Sequence, residues 1–284
     1  MTHPPGPPSH PALRGQVALV TGASRGLGVV IAEALARQGA DLALVARSAE
    51  PLLQLAGLLR ALGVRAEPIV ADISLPDDRE RMVREATAKL GAIDILINNA
   101  GVEHGAPFVT QPLEQMREIL RVNVEGTLEL TRLTLPGMLA RRHGVVVTVA
   151  SLAGKMGLPY ASVYGGSKAA LIAWSRALNV ELDGTGVRAV TVTPGYVSGT
   201  GMFSRFNVRA PGFLGESQPS DVAAGVLRAI NGRAGEVFVN PKPVWPMLLL
   251  HALAPEPMMA LLKKRGVFEW MKQARAGGDQ GEGR

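Results

Sequence analysis

The sequence predicts an α/β protein, a Rossmann-like doubly wound parallel sheet of about seven strands with helices on both faces. Three observations carry that expectation. From Gln16 onward, short β-rich runs alternate with longer helical patterns, the order expected of parallel strands joined by right-handed crossovers. Several of the runs are continuously apolar, which marks strands buried on both faces. The first run is followed at once by a glycine-rich turn, TGASRGLG at 21–28, at the place where ligands of such sheets bind.

The strands expected in order are QVALVT (16–21), DLALVA (41–46), RAEPIV (65–70), IDILIN (93–98), VVVTV (145–149), VRAVTV (187–192) and EVFV (236–239). Helical patterns fill 27–38, 50–62, 77–90, 112–141, 161–183 and 220–230. No linker separates the third strand from the fourth, so residues 15–240 read as one domain, with two unrelated α/β domains as the alternative. Residues 1–14, MTHPPGPPSHPALR, read as a flexible proline-rich leader that lacks the apolar region of a secretory signal. Residues 196–220 have the length and Gly/Pro content of a substrate lid, and 241–284 form an apolar and basic extension.

Composition narrows the function. The chain of 284 residues is 47% hydrophobic and 19% charged, ample for a core. It has no cysteine, which excludes disulfides and thiolate chemistry and fits a reducing, cytoplasmic compartment. Its five histidines are scattered without ligand spacing, so no metal is expected. The net charge of +6 is dispersed through helical segments and aromatics are only 4%, which argues against a nucleic-acid surface. No run is long enough to span a bilayer.

The glycine turn has a physical reading of its own. Glycine loses the most freedom on folding, so Gly22, Gly26 and Gly28 imply that something must approach the main chain closely. The helix that follows points its free amides and positive dipole end at that turn, which suits a pyrophosphate. The spacing is not that of a P-loop, because no GK[ST] follows.

Tyr164 and Lys168, in YGGSK, are four residues apart and share a helix face. A nearby ammonium favours the phenolate and draws the tyrosine pKa from about 10 toward the range where it can give and take a proton. Ser151, just after the fifth strand, can donate a hydrogen bond to a carbonyl oxygen and hold it beside the phenol. Gly165 and Gly166 between the pair weaken the helix by roughly 1 kcal/mol each, so this end must lean on packing.

TGASRGLG, NNAG (98–101), Asn123, Ser151 and YGGSK, in this order and at these strand ends, resemble the short-chain dehydrogenase/reductase family over about residues 14–240. The resemblance implies catalysis by Tyr164 as acid/base, Lys168 as its cation and ribose ligand, Ser151 as orienter, and Asn123 holding a water linked to Lys168. It also implies a coenzyme held by Gly22, Ser24, Arg25, Gly26, Leu27, Gly28, Arg47, Asp72, Ile73, Asn99, Ala100, Gly101, Tyr164, Lys168, Pro194, Gly195 and Val197. Family members are commonly dimers or tetramers built on two long helices, here 112–141 and 161–183.

The second strand ends DLALVARS. Where NAD-binding folds place an acid, this chain has Ala46 followed by Arg47, and Arg25 lies in the glycine loop. Two guanidiniums and no carboxylate suit a 2′-phosphate, so the expected cofactor is NADP(H). Met202, Phe203, Phe206 and Phe213 in the lid, with Leu152, Met156, Leu158 and Tyr160 after Ser151, suggest an apolar pocket for a hydrophobic ketone or secondary alcohol. A steroid, a fatty-acyl or retinoid-like molecule and a xenobiotic all remain open as substrates. His104, after NNAG, reads as a surface residue beside the pocket. The tail has two readings: an amphipathic segment on an anionic membrane, or a cover for the pocket or a partner subunit. The expected function is an NADP(H)-dependent oxidoreductase, the alternatives being a non-catalytic NADP(H)-binding regulator and a sugar-nucleotide epimerase.

Overall fold

The computed structural model describes residues 12–199, 209–212 and 214–278, with side chains described as far as residue 274. Met202, Phe203, Phe206 and Phe213 of the expected lid, and residues 1–11 of the leader, lie outside the described residues.

Among the described residues, seven strands form one parallel sheet in the order β3-β2-β1-β4-β5-β6-β9. They are β1 (Val17–Thr21), β2 (Asp41–Ala46), β3 (Ala66–Val70), β4 (Ile95–Asn98), β5 (Gly144–Val149), β6 (Val187–Pro194) and β9 (Glu236–Val239). The chain winds outward from β1 to β3, returns to β4 beside β1, and winds the other way. That reversal opens a crevice beyond the carboxyl ends of β1 and β4. A short parallel pair, β7 (Tyr196–Val197) with β8 (Glu216–Ser217), brackets the expected lid.

Successive strand residues point to opposite faces, so a continuous apolar strand feeds two cores. On one face Ala18, Val20, Ile95 and Ile97 pack with Ile31 and Leu35 of α1 (Leu27–Arg37), Leu52 and Leu55 of α2 (Ala49–Arg60), and Val222 and Val226 of α7 (Pro219–Asn231). On the other, Val17, Leu19 and Leu96 pack with Met82 of α3 (Pro76–Leu90), Leu130 and Met138 of α5 (Gly126–Arg141), and Leu178 of α6 (Ser162–Glu181).

The structure departs from the expected elements in two places. The helix expected over 112–141 is interrupted: α4 (Leu113–Ile119) passes into a wider π-helical turn, Leu120–Glu125, before α5. Such turns disturb the regular ladder and recur at functional sites, and this one carries the buried Asn123. The tail folds into three helices, α8 (Trp245–Leu253), α9 (Pro255–Lys264) and α10 (Val267–Gly278). Pro255 starts α9, and Gly266, at φ 75°, separates α9 from α10. A third apolar cluster forms there, with Met258, Leu262, Val267 and Met271 buried against Leu158 and Tyr160. No helix among the described residues is long and apolar enough to cross a membrane.

Candidate active site

A cleft of about 740 Å3 opens along the carboxyl edge of the sheet. One end is built on the glycine turn. Gly22 and Gly26 lie at φ 66° and 62°, in the left-handed region that a side chain disfavours. A Cβ on Gly28 would run into the Gly22 carbonyl oxygen, so this glycine lets α1 close on the turn. No side chain caps α1 and no acid lies in its first turn. Its leading amides therefore face the cleft uncompensated, the arrangement that binds an anion. Ser24, Arg25 and Leu27 line the same end.

The loops after β2 and β3 flank that end. Arg47 and Asp72 both border the cleft, their side chains 3.9 Å apart. Asp72 accepts from the Ser74 amide at 2.8 Å, which fixes its loop, and Ile73 lies beside it. At the end of β4, the Asn99 side-chain amide donates to the Thr21 carbonyl at 2.9 Å, tying the two loops together. Thr21 is a positioning residue that the sequence reading passed over: its hydroxyl oxygen accepts from the Asn99 and Ala100 amides at 3.1 and 3.0 Å. The signal was its place as the first letter of TGASRGLG.

In the middle of the cleft, a Cβ on Gly101 would stand 3.3 Å from Asn123 Oδ1 and 3.5 Å from Lys168 Nζ. Asn123 is fully buried. Its Oδ1 accepts from the Val102 amide at 2.8 Å, and its Nδ2 donates to the Val102 carbonyl and to Ser167 Oγ, each at 3.0 Å. The π-helical turn thus clamps the strand end carrying Asn99, Ala100 and Gly101 to α6.

Ser151 follows β5 and caps a single 3-10 turn, Leu152–Gly154, by accepting from the Ala153 amide at 3.1 Å. Tyr164 and Lys168 line the cleft from the first turns of α6, with Lys168 Nζ 5.9 Å from the centroid of the Tyr164 ring. Lys168 donates to the Val149 carbonyl at 2.9 Å. Burial pushes its ammonium down to about 8, against the Glu103 carboxylate, which favours the charged form. The contact that lets Ser151 reach α6 is glycine-dependent: a Cβ on Gly154 would meet the backbone of Lys168 and Ala169, and one on Gly165 would stand 3.0 Å from the Ala153 carbonyl oxygen. Nothing in the structure explains Gly166.

Pro194, Gly195 and Val197 complete the wall beyond β6. A Cβ on Gly195 would run into the Asn240 side chain. Of the eight residues expected to make the pocket apolar, four are described: Leu158 lines the cleft, whereas Tyr160 packs into the C-terminal cluster, Met156 is buried, and Leu152 Cδ1 stands 3.3 Å from where a Cβ on Gly195 would be. His104 turns from the cleft and meets Glu118 at 2.8 Å. Glu103, Tyr196 and Met271 also border the cleft, and the sequence reading gave them no part.

The structure therefore brings the residues expected at the coenzyme and reacting sites to one continuous crevice, except Gly28, which packs against the back of the glycine turn, and Asn123, which is buried behind Gly101. A family model described as short chain dehydrogenase matches residues 16–210. The ketoacyl reductase HetN of Nostoc sp. is 41% identical over 269 residues, 93% of each chain. A variant of actinorhodin polyketide ketoreductase, solved with NADPH, superposes with a TM-score of 0.73 at 30% identity, covering 79% of this chain and 95% of that one. A metagenomic short-chain oxidoreductase in complex with NADP gives a TM-score of 0.70 at 33% identity, covering 82% and 100%.

Proposed function

The chain belongs to the short-chain dehydrogenase family, and on that premise we propose that it is an NADP(H)-dependent oxidoreductase interconverting a hydrophobic ketone, such as a 3-oxoacyl compound, and its secondary alcohol. The observation that carries this reading is the meeting of Ser151, Tyr164 and Lys168 in one cleft with a glycine turn whose helix amides are uncapped.

The residues fit the coenzyme. Gly22, Gly26 and Gly28 leave room at the turn for a pyrophosphate against bare amides. Arg25 and Arg47 suit a 2′-phosphate, which a guanidinium grips with paired hydrogen bonds. Asp72 and Ile73 would border the adenine, Asn99, Ala100 and Gly101 the adjoining sugar, and Pro194, Gly195 and Val197 the nicotinamide. Bound there, the coenzyme supplies or accepts the hydride.

The chain's own groups handle the proton. In reduction, Tyr164 donates its phenolic proton to the substrate oxygen while Ser151 donates a hydrogen bond to the same oxygen. The phenolate left behind is stabilised by the Lys168 ammonium, whose hydrogen bond to Val149 keeps it in place. Oxidation runs the same proton path backward. Replacing Tyr164 with Phe tests the reading: NADPH binding should persist while kcat falls by several orders of magnitude. Turnover near that of the parent would remove Tyr164 from the mechanism.

Two associations follow from exposed apolar surface. Leu113, Leu120, Leu133 and Val180 stay open on α4, the π-helical turn, α5 and α6, which supports a homo-oligomer built on these helices, to be read by sedimentation equilibrium. On α8, Trp245, Leu249 and Leu253 are 67%, 53% and 77% exposed at four-residue spacing, on one face of a helix with no buried residue. With Lys263, Lys264 and Arg265 ending α9, that face supports contact with an anionic membrane surface. Co-sedimentation with phosphatidylglycerol vesicles should be lost in Trp245→Ser/Leu249→Ser, and a parent chain left in the supernatant would end the idea.

A further inference from the structure

We propose that α10 is the far wall of the substrate pocket and that Met271 sets the length of chain the pocket admits. This rests on the oxidoreductase reading and adds to it the residue that measures the substrate.

Met271 follows the β9 strand by more than thirty positions, beyond the sheet's last element, yet it borders the same cleft as Ser151 and Tyr164 and is 3% exposed. Leu158, which packs against the same cluster as Met271, and Tyr196 also line the cleft. A thioether on an unbranched side chain adapts to an apolar chain without a fixed shape, which suits a residue at the closed end of an alkyl pocket.

Two contacts hold α10 in place. Trp270 donates its indole N–H to the Arg209 carbonyl at 2.9 Å. Its ring also meets Tyr196 edge to face, with centroids 5.3 Å apart and planes at 86°. Tyr196 directly precedes Val197 on the wall expected to face the nicotinamide. The helix therefore grips the substrate end of the cleft from two sides, at β7 and at the segment before β8.

The same apolar layer reaches the loop between the two reacting side chains. Tyr160 adopts φ 61°, a left-handed conformation that is unfavourable for a bulky residue. Such strain persists only where the surroundings hold it, and Tyr160 packs with Leu158 against Met258, Leu262, Val267 and Met271. The C-terminal helices therefore shape the loop running from Ser151 to Tyr164 as well as the pocket beyond it.

The test is a ladder of short, medium and long straight-chain 3-oxo esters, read in parallel by kcat/KM with NADPH and by calorimetric binding with NADP+ present. The full-length parent is compared with Met271→Ala, Met271→Phe and Met271→Leu. Met271→Ala should favour the long esters by about tenfold over the parent and Met271→Phe should disfavour them similarly, while Met271→Leu follows the parent. Should Met271→Ala fail to fold, the Phe and Leu variants carry the comparison. An unchanged ladder in both assays overturns the proposal even if turnover is normal, and the oxidoreductase reading then stands alone. A binding ladder that shifts as expected without turnover in any form keeps the wall and removes the oxidoreductase reading.

Discussion

Lys168 Nζ lies 5.9 Å from the centre of the Tyr164 ring and donates to the Val149 carbonyl at 2.9 Å. One cation is thus buried between the strand that leads to Ser151 and the phenol one helical turn away. The strand carbonyl anchors the ammonium, the helix sets its distance from the phenol, and burial makes its charge costly enough to be lost above about pH 8.

That cost gives a pH signature. Burial pushes Lys168 down to about 8 from its usual 10.5. Between those values the unfolded chain holds the proton that the folded chain has released, so stability rises with pH across that window, by on the order of 3 kcal/mol. Urea midpoints measured from about pH 8 to about pH 10.5 should show the rise, and Lys168→Met should flatten it. Activity moves the other way: above about pH 8 the cation disappears, the phenolate loses its stabiliser, and kcat/KM for reduction should fall. A profile that stays level into the alkaline range would separate Lys168 from the chemistry.

Coenzyme choice should follow the two guanidiniums. Arg25 and Arg47 line the anion end of the cleft, where Asp72 lies 3.9 Å from Arg47. A charge-assisted hydrogen bond contributes about 1.5–3 kcal/mol. Arg47→Ala should therefore lower the NADPH-over-NADH ratio of kcat/KM by about ten- to a hundredfold, chiefly through KM for NADPH. Arg25→Ala should add to the loss. A ratio unmoved in the double variant would assign both side chains to solvent.

The turn itself should tolerate nothing larger than glycine at one position. A methyl at Gly28 would collide with the Gly22 carbonyl oxygen, which is backbone and has nowhere to retreat. Gly28→Ala should separate α1 from the turn and appear as lost coenzyme binding with a lowered Tm. Normal NADPH affinity in that variant would show that the turn can reshape.

How much of this was legible in the sequence depends on where each signal lies. β2 and β9 keep the limits expected of them: β2 is buried on both faces from Leu42 to Ala46, whereas β9 is a half-exposed edge strand whose short EVFV run is bounded by glycine before it and a loop after it. The π-helical turn at Leu120–Glu125 was hidden: LRVNVE contains neither glycine nor proline, while Pro136 sits unbroken inside α5. What widens the turn is the long-range pairing of Asn123 with Val102 and Ser167. Asn99, Tyr164 and Lys168 were legible because their motifs are local. Met271 was not, since only the folded tail brings it to the cleft, and the left-handed Tyr160 carries no local mark either.

Gly165 and Gly166 make the final case, since one sequence argument covers both and the structure separates them. In a helix interior each should cost roughly 1 kcal/mol relative to alanine. Gly166 has nothing within 4 Å of an added Cβ. Gly166→Ala should therefore raise stability by about 1 kcal/mol, a Tm gain of about 2–4 °C, with kcat unchanged. At Gly165 the Cβ would press on the Ala153 carbonyl oxygen at 3.0 Å. Ala153 is also the residue whose amide donates to Ser151 Oγ at 3.1 Å. Any stability gained there is offset by a displaced turn, and Gly165→Ala should lower kcat by moving Ser151 away from Tyr164. Equal behaviour of the two variants, in Tm and in kcat alike, would show that the Ser151 turn does not depend on its close approach to α6.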